Sequence, residues 1–394
     1  MECFQTQNFW PLYGGAFLLI KRCGQFVEQA SQRIFFIVLT SFSLVVYGVR
    51  GAGYRKEIFG DDLDLFFQAV NRPAATSGIS KLDHFGLFDP YNGYLVVLLR
   101  AFTHIALIGP DTSFTLHAYL LMTVFFAVTT AGICMVVSAS TSRKIALLAM
   151  GFLVFLPFSN LVILAQINTV AWPLALLMLV ITATRKYPTT LIGKVLLAAL
   201  FALTAMSTGT VVIVIAFLTL NLLQDFRRID KYELSLLIVT AVSFLVQWYS
   251  YTPRTNPKLP LLGELHKAVY NFAPQYIRDK FGASLNGDDQ IVFWIIPLML
   301  LIIWLVQANF ARQTNWLSVI SATKLFGGGF VLLSLLIRGN GWFNTHYLYI
   351  PAAMFWISLV LLFHENRRIA STRMTIAITG ALFATTYSGV FYLL

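Results

Sequence analysis

The residues best suited to chemistry lie in one short acidic stretch near the start of the chain. Asp61, Asp62 and Asp64 stand together in the sequence FGDDLDLFF, and His84 follows in a second polar cluster. Carboxylates held close together repel one another, which raises the pKa of at least one of them. A carboxylate with a raised pKa takes a proton from a hydroxyl near neutral pH. Asp61 or Asp62 is therefore predicted to act as a general base.

Two other interpretations of this acidic stretch stay open. An acidic loop is often simply solvated, and carboxylate oxygens also suit magnesium, calcium or manganese, although neither a metal nor another cofactor is required. The neighbouring apolar residues favour the catalytic interpretation. Phe59, Leu63, Phe66 and Phe67 recur at helical spacing, which predicts a juxtamembrane helix that holds the acids near the membrane surface.

Three basic side chains are candidates to bind a phosphate. Arg100 lies in an apolar segment, where a charge is costly and is usually paired or functional; pairing with a loop aspartate is its structural alternative. Arg338 stands at the predicted outer end of a span, from which it can also snorkel to the headgroups. His346 follows in the next polar stretch. Asn168, within a charge-free run, either joins helices or lines a cavity.

The composition requires a lipid environment for these residues. Of the 394 residues, 58% are hydrophobic and 11% are charged, whereas soluble domains average about 25% charged residues. The net charge of +11 is concentrated in short basic clusters between apolar runs. That pattern is typical of cytoplasmic loops and argues against binding of nucleic acid.

Long apolar runs in hydrocarbon form helices, because each backbone polar group needs a partner within its own segment. The prediction is an all-α polytopic transmembrane protein of about eleven spans, in which residues 1–394 form a single transmembrane domain in the lipid bilayer. The predicted membrane-embedded segments are 34–50, 89–109, 113–137, 145–158, 160–183, 195–206, 208–223, 232–249, 290–308, 316–337, 347–363 and 372–392.

The basic clusters orient these segments. Lys21 and Arg22 precede the first helix and place the N-terminus in the cytoplasm. The stretch 51–88 is then the first periplasmic loop, with the acidic pair, and 250–289 is the second large one. An active site at the acidic pair is accordingly predicted to face the non-cytoplasmic side of the membrane.

These two loops are separated by seven apolar segments, and an odd number of crossings would put the loops on opposite sides. At least one segment must therefore fail to cross. The first candidate is 89–109, and the short segments 195–206 and 208–223 are the others.

Four stretches of the chain share a pattern with one class of membrane enzymes. Asp61 and Asp62 follow the first helix, 91–100 reads YNGYLVVLLR, 157–172 holds a proline, two asparagines and a tryptophan, and 344–351 reads NTHYLYIP. These features resemble a group of bacterial proteins in the GT-C class of glycosyltransferases. In the last stretch His346 stands where that group carries an arginine, and a histidine is charged only part of the time near neutral pH.

The resemblance implies a GT-C-like fold and transfer of a hexose or pentose from a polyprenyl-phosphate donor, with inversion. The acceptor is expected to be a lipid-linked or surface glycan, such as lipopolysaccharide O-antigen or another envelope polysaccharide. Asp62 or Asp61 is expected to be the base, and the donor phosphate is assigned to Arg100, Arg338 and His346. The substrate cavity is assigned to Asp64, His84, Tyr94, Asn168 and Tyr347.

Other functions stay open. A lipid-linked glycan flippase or transporter would distribute charges along a central pathway and usually contains internal repeats. An O-antigen-type polymerase also acts on polyprenyl-linked sugars outside the membrane. A scaffold protein would leave the acidic stretch unexplained.

Overall fold

Each apolar run that the structure describes is helical. The structure is a computed structural model that describes residues 29–52, 95–108, 113–154, 167–225, 229–249, 289–313, 315–339 and 348–366, with the single positions 66, 69, 70, 87 and 269. At 168, 289–297, 338, 339 and 366 it describes the backbone alone. The regular elements of these residues are helices without any strand. This confirms the all-helical prediction.

Eleven α-helices, numbered in chain order, lie within the described ranges. They are α1 Gln32–Gly51, α2 Val97–Ala106, α3 Phe114–Ser140, α4 Arg143–Val154, α5 Ala171–Thr184, α6 Leu191–Ala205, α7 Val211–Gln224, α8 Lys231–Tyr249, α9 Asp289–Ala311, α10 Trp316–Gly339 and α11 Tyr349–Asn366. A short 3-10 turn, Ile167–Thr169, precedes α5. The predicted helix 372–392 lies outside the described residues, and the predicted juxtamembrane helix is described at Phe66, whose backbone is helical.

Several helices begin at other residues than predicted, and the physical reason is visible for α5 and α6. The described part of the predicted segment 160–183 holds the 3-10 turn, and α5 starts only at Ala171. Pro173 lies in the first turn of α5, where its missing N–H leaves no bond unmade. α6 starts at Leu191, before the predicted boundary, because the Thr190 side chain caps it by accepting the N–H of Gly193 at 3.2 Å.

Successive helices meet at two ends of the bundle. One of them, the basic end, carries Arg143, Lys144, Arg185, Lys186 and Arg312 at the starts and ends of helices. Hydrogen bonds join neighbouring helices at this end. The Arg143 guanidinium donates to the Ala30 carbonyl ahead of α1. Lys324 of α10 donates to Gln224 at the end of α7 at 3.0 Å, and Ser318 of α10 donates to Glu365 of α11 at 2.9 Å.

At the second end of the bundle, the opposite end, hydrogen bonds also join neighbouring helices. The Tyr119 hydroxyl near the start of α3 donates to the Gly48 carbonyl near the end of α1. The turn between α6 and α7 meets the start of α2, where Leu98 donates its N–H to the Ser207 hydroxyl at 3.0 Å. Apart from α2, each described helix therefore runs from one end to the other and its successor returns.

The helix α2 does not cross. Its first turn is bonded to Ser207 at the opposite end, and its last residue, Ala106, accepts a hydrogen bond at 3.0 Å from the Nδ1 atom of His117 at the same end. Ten residues span only about 15 Å, against roughly 30 Å for the hydrocarbon layer. The described helix of the predicted segment 89–109 therefore starts and finishes at the same end of the bundle.

Burial separates central from peripheral helices. α5 packs against α3, α7, α10 and α11 and is apolar on nearly every side, as a fully enclosed helix must be. Peripheral helices turn large apolar side chains outward, such as Val45 of α1 and Leu245 of α8. Among the described helices, α1, α3, α8 and α10 are long and apolar enough to cross a membrane. The protein is membrane-embedded.

Three consecutive glycines in α10 face three different surroundings. A Cβ on Gly328 would lie 2.5 Å from the Cζ atom of Phe217 on α7, and one on Gly329 would lie 3.3 Å from the carbonyl oxygen of Pro351 on α11. A Cβ on Gly327 would meet nothing within 4 Å. Gly328 therefore permits close approach of two membrane helices, while Gly327 borders open space.

We expect Gly328→Ala to destabilise the protein relative to Gly327→Ala. The buried Phe217 ring must shift to admit the new methyl group, and overpacking of this kind costs roughly 1–3 kcal/mol. Both variants gain the same helix propensity, so the difference isolates the helix contact. Thermal unfolding of the purified protein in detergent measures it, and equal melting temperatures would contradict the close approach of α7 and α10.

Candidate functional site

Much of the predicted site falls on residues that the structure does not describe. Asp61, Asp62, Asp64, His84, Tyr94, His346 and Tyr347 lie outside the described residues, as do the side chains of Asn168 and Arg338. The side chain of Arg100 is described, and so are segments that flank the other positions. The predicted site is therefore located through Arg100 and through those flanking segments.

Arg100 is buried in the non-crossing helix α2, with 6% of its surface exposed. α2 packs on α3, α6 and the 3-10 turn, and that turn carries Asn168. Two predicted site positions thus belong to elements that touch. The Arg100 side chain therefore places a guanidinium inside the opposite end of the bundle.

The acidic stretch is tied to the same end by an aromatic contact. The ring of Phe66, two residues after Asp64 in the sequence, lies 4.9 Å from the ring of Phe114 between centroids, in a tilted arrangement. Phe114 begins α3 and is buried. Such aromatic pairs contribute about 0.5–1.5 kcal/mol beyond the area they bury. The contact anchors the chain just after the acids to the end of the bundle that holds Arg100.

The described helix ends that flank the other predicted residues lie at this end as well. α1 ends at the opposite end and α2 begins there, so the segment that contains the acids leaves from and returns to one side of the bundle. The backbone of Arg338 belongs to the last turn of α10, a helix that starts at the basic end. Arg100, Asn168 and Arg338, whose backbone the structure describes, therefore lie at the opposite end of the bundle.

A second group of polar side chains, outside the predicted site, lies at the basic end. Arg185 follows α5 in the left-handed conformation, with φ of 55°. Its Nε donates to Glu233 Oε1 at 2.9 Å and its Nη2 to Oε2 at 2.7 Å, and it also donates to Asp225. Bidentate pairs of this kind are strong and directional. They offset the roughly 1–2 kcal/mol that left-handed backbone costs a residue with a Cβ.

Arg185 keeps its positive charge in this ion pair. Burial alone would lower the pKa of Arg185, but the hydrogen bonds with Asp225 and Glu233 outweigh it and raise the pKa above the ordinary value. The side chain of Glu233 is only 1% exposed. The guanidinium therefore stays charged at physiological pH and holds the start of α8 against the end of α5.

The network continues into the bundle through Asn221 and Lys324. The Nδ2 atom of Asn221 donates to the Thr182 carbonyl of α5 at 2.9 Å and to Glu233 Oε1 at 3.3 Å. Lys324 donates to the side-chain oxygens of Asn221 and Gln224. One connected set of hydrogen bonds thus joins α5, α7, α8 and α10.

Sequence reasoning did not select these residues, although a signal for two of them is present. Asn221 and Lys324 interrupt apolar segments, where polar groups are usually paired or functional. The pairing of Glu233 with Arg185, 48 positions away, has no comparable signal. It depends on how α5 and α8 are placed in the bundle.

Within the described ranges, no group of three or more His, Cys, Asp or Glu side chains is placed to hold a metal ion. No known family, curated protein or solved structure matches the chain. Its function is therefore inferred from the residues themselves and from where the fold puts them.

We expect Glu233→Ala to lower the free energy of unfolding by about 3 kcal/mol, because it leaves a partly buried guanidinium without its bidentate partner. Asp225→Asn is the matched control. Its side chain is 46% exposed, and exposed pairs contribute about 0–1 kcal/mol. Thermal unfolding in detergent compares the two, and a larger loss for Asp225→Asn would refute the assigned importance of Glu233.

Proposed function

We propose that the protein is a membrane glycosyltransferase that moves a sugar from a polyprenyl-phosphate donor to an envelope glycan, such as lipopolysaccharide O-antigen. The observation that carries the proposal is the Phe66–Phe114 contact. It anchors the chain beside the acidic stretch at the end of the bundle where the buried Arg100 lies. A base and a cation for a phosphate on one side of the membrane are what transfer from a lipid phosphate requires.

The reaction needs few protein groups. The donor tail lies in the bilayer, and its phosphate is held near Arg100, with Arg338 and His346 as further candidates. Asp62 or Asp61 takes the proton from an acceptor hydroxyl, whose oxygen attacks the anomeric carbon. The bond from that carbon to the phosphate oxygen breaks, and the lipid phosphate leaves with the electron pair. Attack from the face opposite the leaving group inverts the anomeric configuration.

The side of the membrane follows from the basic end. Clustered lysines and arginines mark cytoplasmic loops, and Arg143, Arg185 and Arg312 gather at one end of the bundle. This supports a cytoplasmic basic end and a periplasmic opposite end, in a bacterial inner membrane. Polyprenyl-linked sugars are then used on the periplasmic side.

A flippase or transporter is the competing proposal. A transport pathway needs polar groups along the middle of the bundle, whereas the buried charges of the described residues lie toward the two ends, with Arg100 at one and the Arg185 network at the other. The central helix α5 holds only apolar and threonine side chains between them. This distribution favours chemistry at one surface over passage through the bundle.

We expect a strain carrying the double variant Asp61→Asn and Asp62→Asn to lose one sugar unit from its surface glycan, because no base remains to deprotonate the acceptor. Mass spectrometry of the glycan measures the loss, against a strain without the gene. Asp230→Asn is the matched control, since Asp230 is an exposed carboxylate at the basic end. An unchanged glycan mass in the well-expressed double variant would end the proposal.

We expect Arg100→Gln to reduce transfer by about tenfold or more, because it removes a charge-assisted hydrogen bond to the donor phosphate. Lys231→Gln, at an exposed lysine of the basic end, should leave transfer unchanged. Initial rates with a synthetic polyprenyl-phosphate sugar in vesicles provide the measurement. If Arg100→Gln folds and transfers at the normal rate, the donor phosphate is not at Arg100.

A further inference from the structure

A groove of about 440 Å³ lies between α7 and α10 on the surface of the bundle. Its walls are almost wholly apolar and include Phe217, Leu220, Trp316 and Val331, and its floor passes Gly327. Leu220, Trp316 and Val331 are each close to half exposed. In a membrane this surface faces lipid, and the groove is open to hydrocarbon chains.

Among the described residues that line the groove, one carries a positive charge. Lys324 and Gln224 line it together, and Lys324 is buried, with 8% of its surface exposed. Two of the three N–H donors of its ammonium go to Asn221 and Gln224. Both acceptors are neutral amide oxygens, so these bonds fix the position of the ammonium without cancelling its charge.

The neighbouring acids do not neutralise Lys324 by direct pairing. Asp225 and Glu233 both pair with Arg185, and the bridge from Glu233 to Lys324 runs through the neutral Asn221. Counting only the part of the chain that the structure describes, a positive charge therefore remains at the wall of an apolar groove, where a charge is expensive unless an anion meets it.

The charge also stands at the depth of a headgroup. Lys324 bonds to Gln224, the last residue of α7, so its ammonium has reached the final turn of that helix at the basic end. Trp316 lines the groove and begins α10, with the Arg312 guanidinium 5.4 Å from its ring centroid. Tryptophan at the membrane interface with arginine beside it is typical of the headgroup layer.

We propose that this groove binds one chain of an anionic glycerophospholipid from the leaflet at the basic end, with the headgroup phosphate on Lys324. An apolar groove that ends in a fixed cation is complementary to a hydrocarbon chain that ends in an anion. Arg312 adds positive charge beside the groove, which selects anionic over zwitterionic headgroups. The site lies at the other end of the bundle from Arg100 and does not depend on the proposed sugar transfer.

The first test removes the charge. The protein is purified from vesicles of equal parts phosphatidylcholine and phosphatidylglycerol, and native mass spectrometry determines which lipids remain bound. We expect the wild-type chain to retain one phosphatidylglycerol. Lys324→Gln, whose amide can still reach Asn221 or Gln224, should bind it about tenfold more weakly, and Lys324→Arg should restore binding. Lys194→Gln is the matched control, since Lys194 lies over Tyr232 away from the groove.

The second test blocks the groove and leaves the polar network intact. Gly327→Phe directs a ring into the space where a Cβ meets nothing within 4 Å, and we expect it to expel the lipid. Gly327→Ala leaves most of the space and should bind normally. Thermal unfolding of each variant verifies that it is folded, so the result stands even if Lys324→Gln is unstable.

Three results would overturn the proposal. The first is equal retention of phosphatidylcholine and phosphatidylglycerol, which would mean that Lys324 and Arg312 together do not select a net negative headgroup. The second is normal phosphatidylglycerol binding by folded Gly327→Phe and Lys324→Gln. The third is a dimer of the chain that Gly327→Phe dissociates, which would make a second copy the occupant of the groove.

Discussion

The hydrocarbon layer imposes the constraint on which this structure depends. Within it each backbone polar group needs a partner in its own helix, and each side-chain charge needs a partner or a route to water. The chain meets the first condition with apolar helices that run between two ends of a bundle. It meets the second by keeping its buried charges near those ends, where Arg185 and Glu233 form a bidentate pair. The middle of the bundle, around α5, is left to apolar packing.

This constraint gives the two ends different characters. The basic end is held by a connected network in which Arg185, Glu233, Asn221 and Lys324 join four helices. Because these bonds connect four helices, the network positions the helices at this end. The opposite end carries a helix that does not cross, with a buried arginine on it. This helix packs on α3, α6 and the 3-10 turn, and it keeps its arginine at that end.

The exception at the basic end is Lys324. It belongs to the network through neutral amide oxygens and also borders an apolar groove. The glycines near Lys324 explain how α10 can pack closely against α7 and also border a groove. Gly328 lets α10 approach Phe217 of α7 closely, and Gly327, on the open side, leaves the space that makes the groove. Packing and a lipid site are thereby separated by a single residue along the helix.

Much of the architecture was predictable from the sequence. The apolar runs located most helices to within a few residues, and the parity of charged loops identified 89–109 as the first candidate for a segment that fails to cross. The start of α5 was less accessible, because the apolar run before Ala171 continues without a break and only Pro173 marks the first turn. For the candidate site, Arg100 was recognisable as a charge in an apolar segment, but its burial was not.

By itself, the sequence determined that this chain is helical and membrane-embedded. Hydropathy and charge are local properties, so they can be read from short stretches of the sequence. It also determined where acids and bases lie relative to helix ends. Only the tertiary structure decided that Phe66 meets Phe114, that Glu233 pairs with Arg185, and that Lys324 borders a groove. These contacts join residues distant in sequence, and they depend on which helix faces pack together, which local hydropathy does not encode.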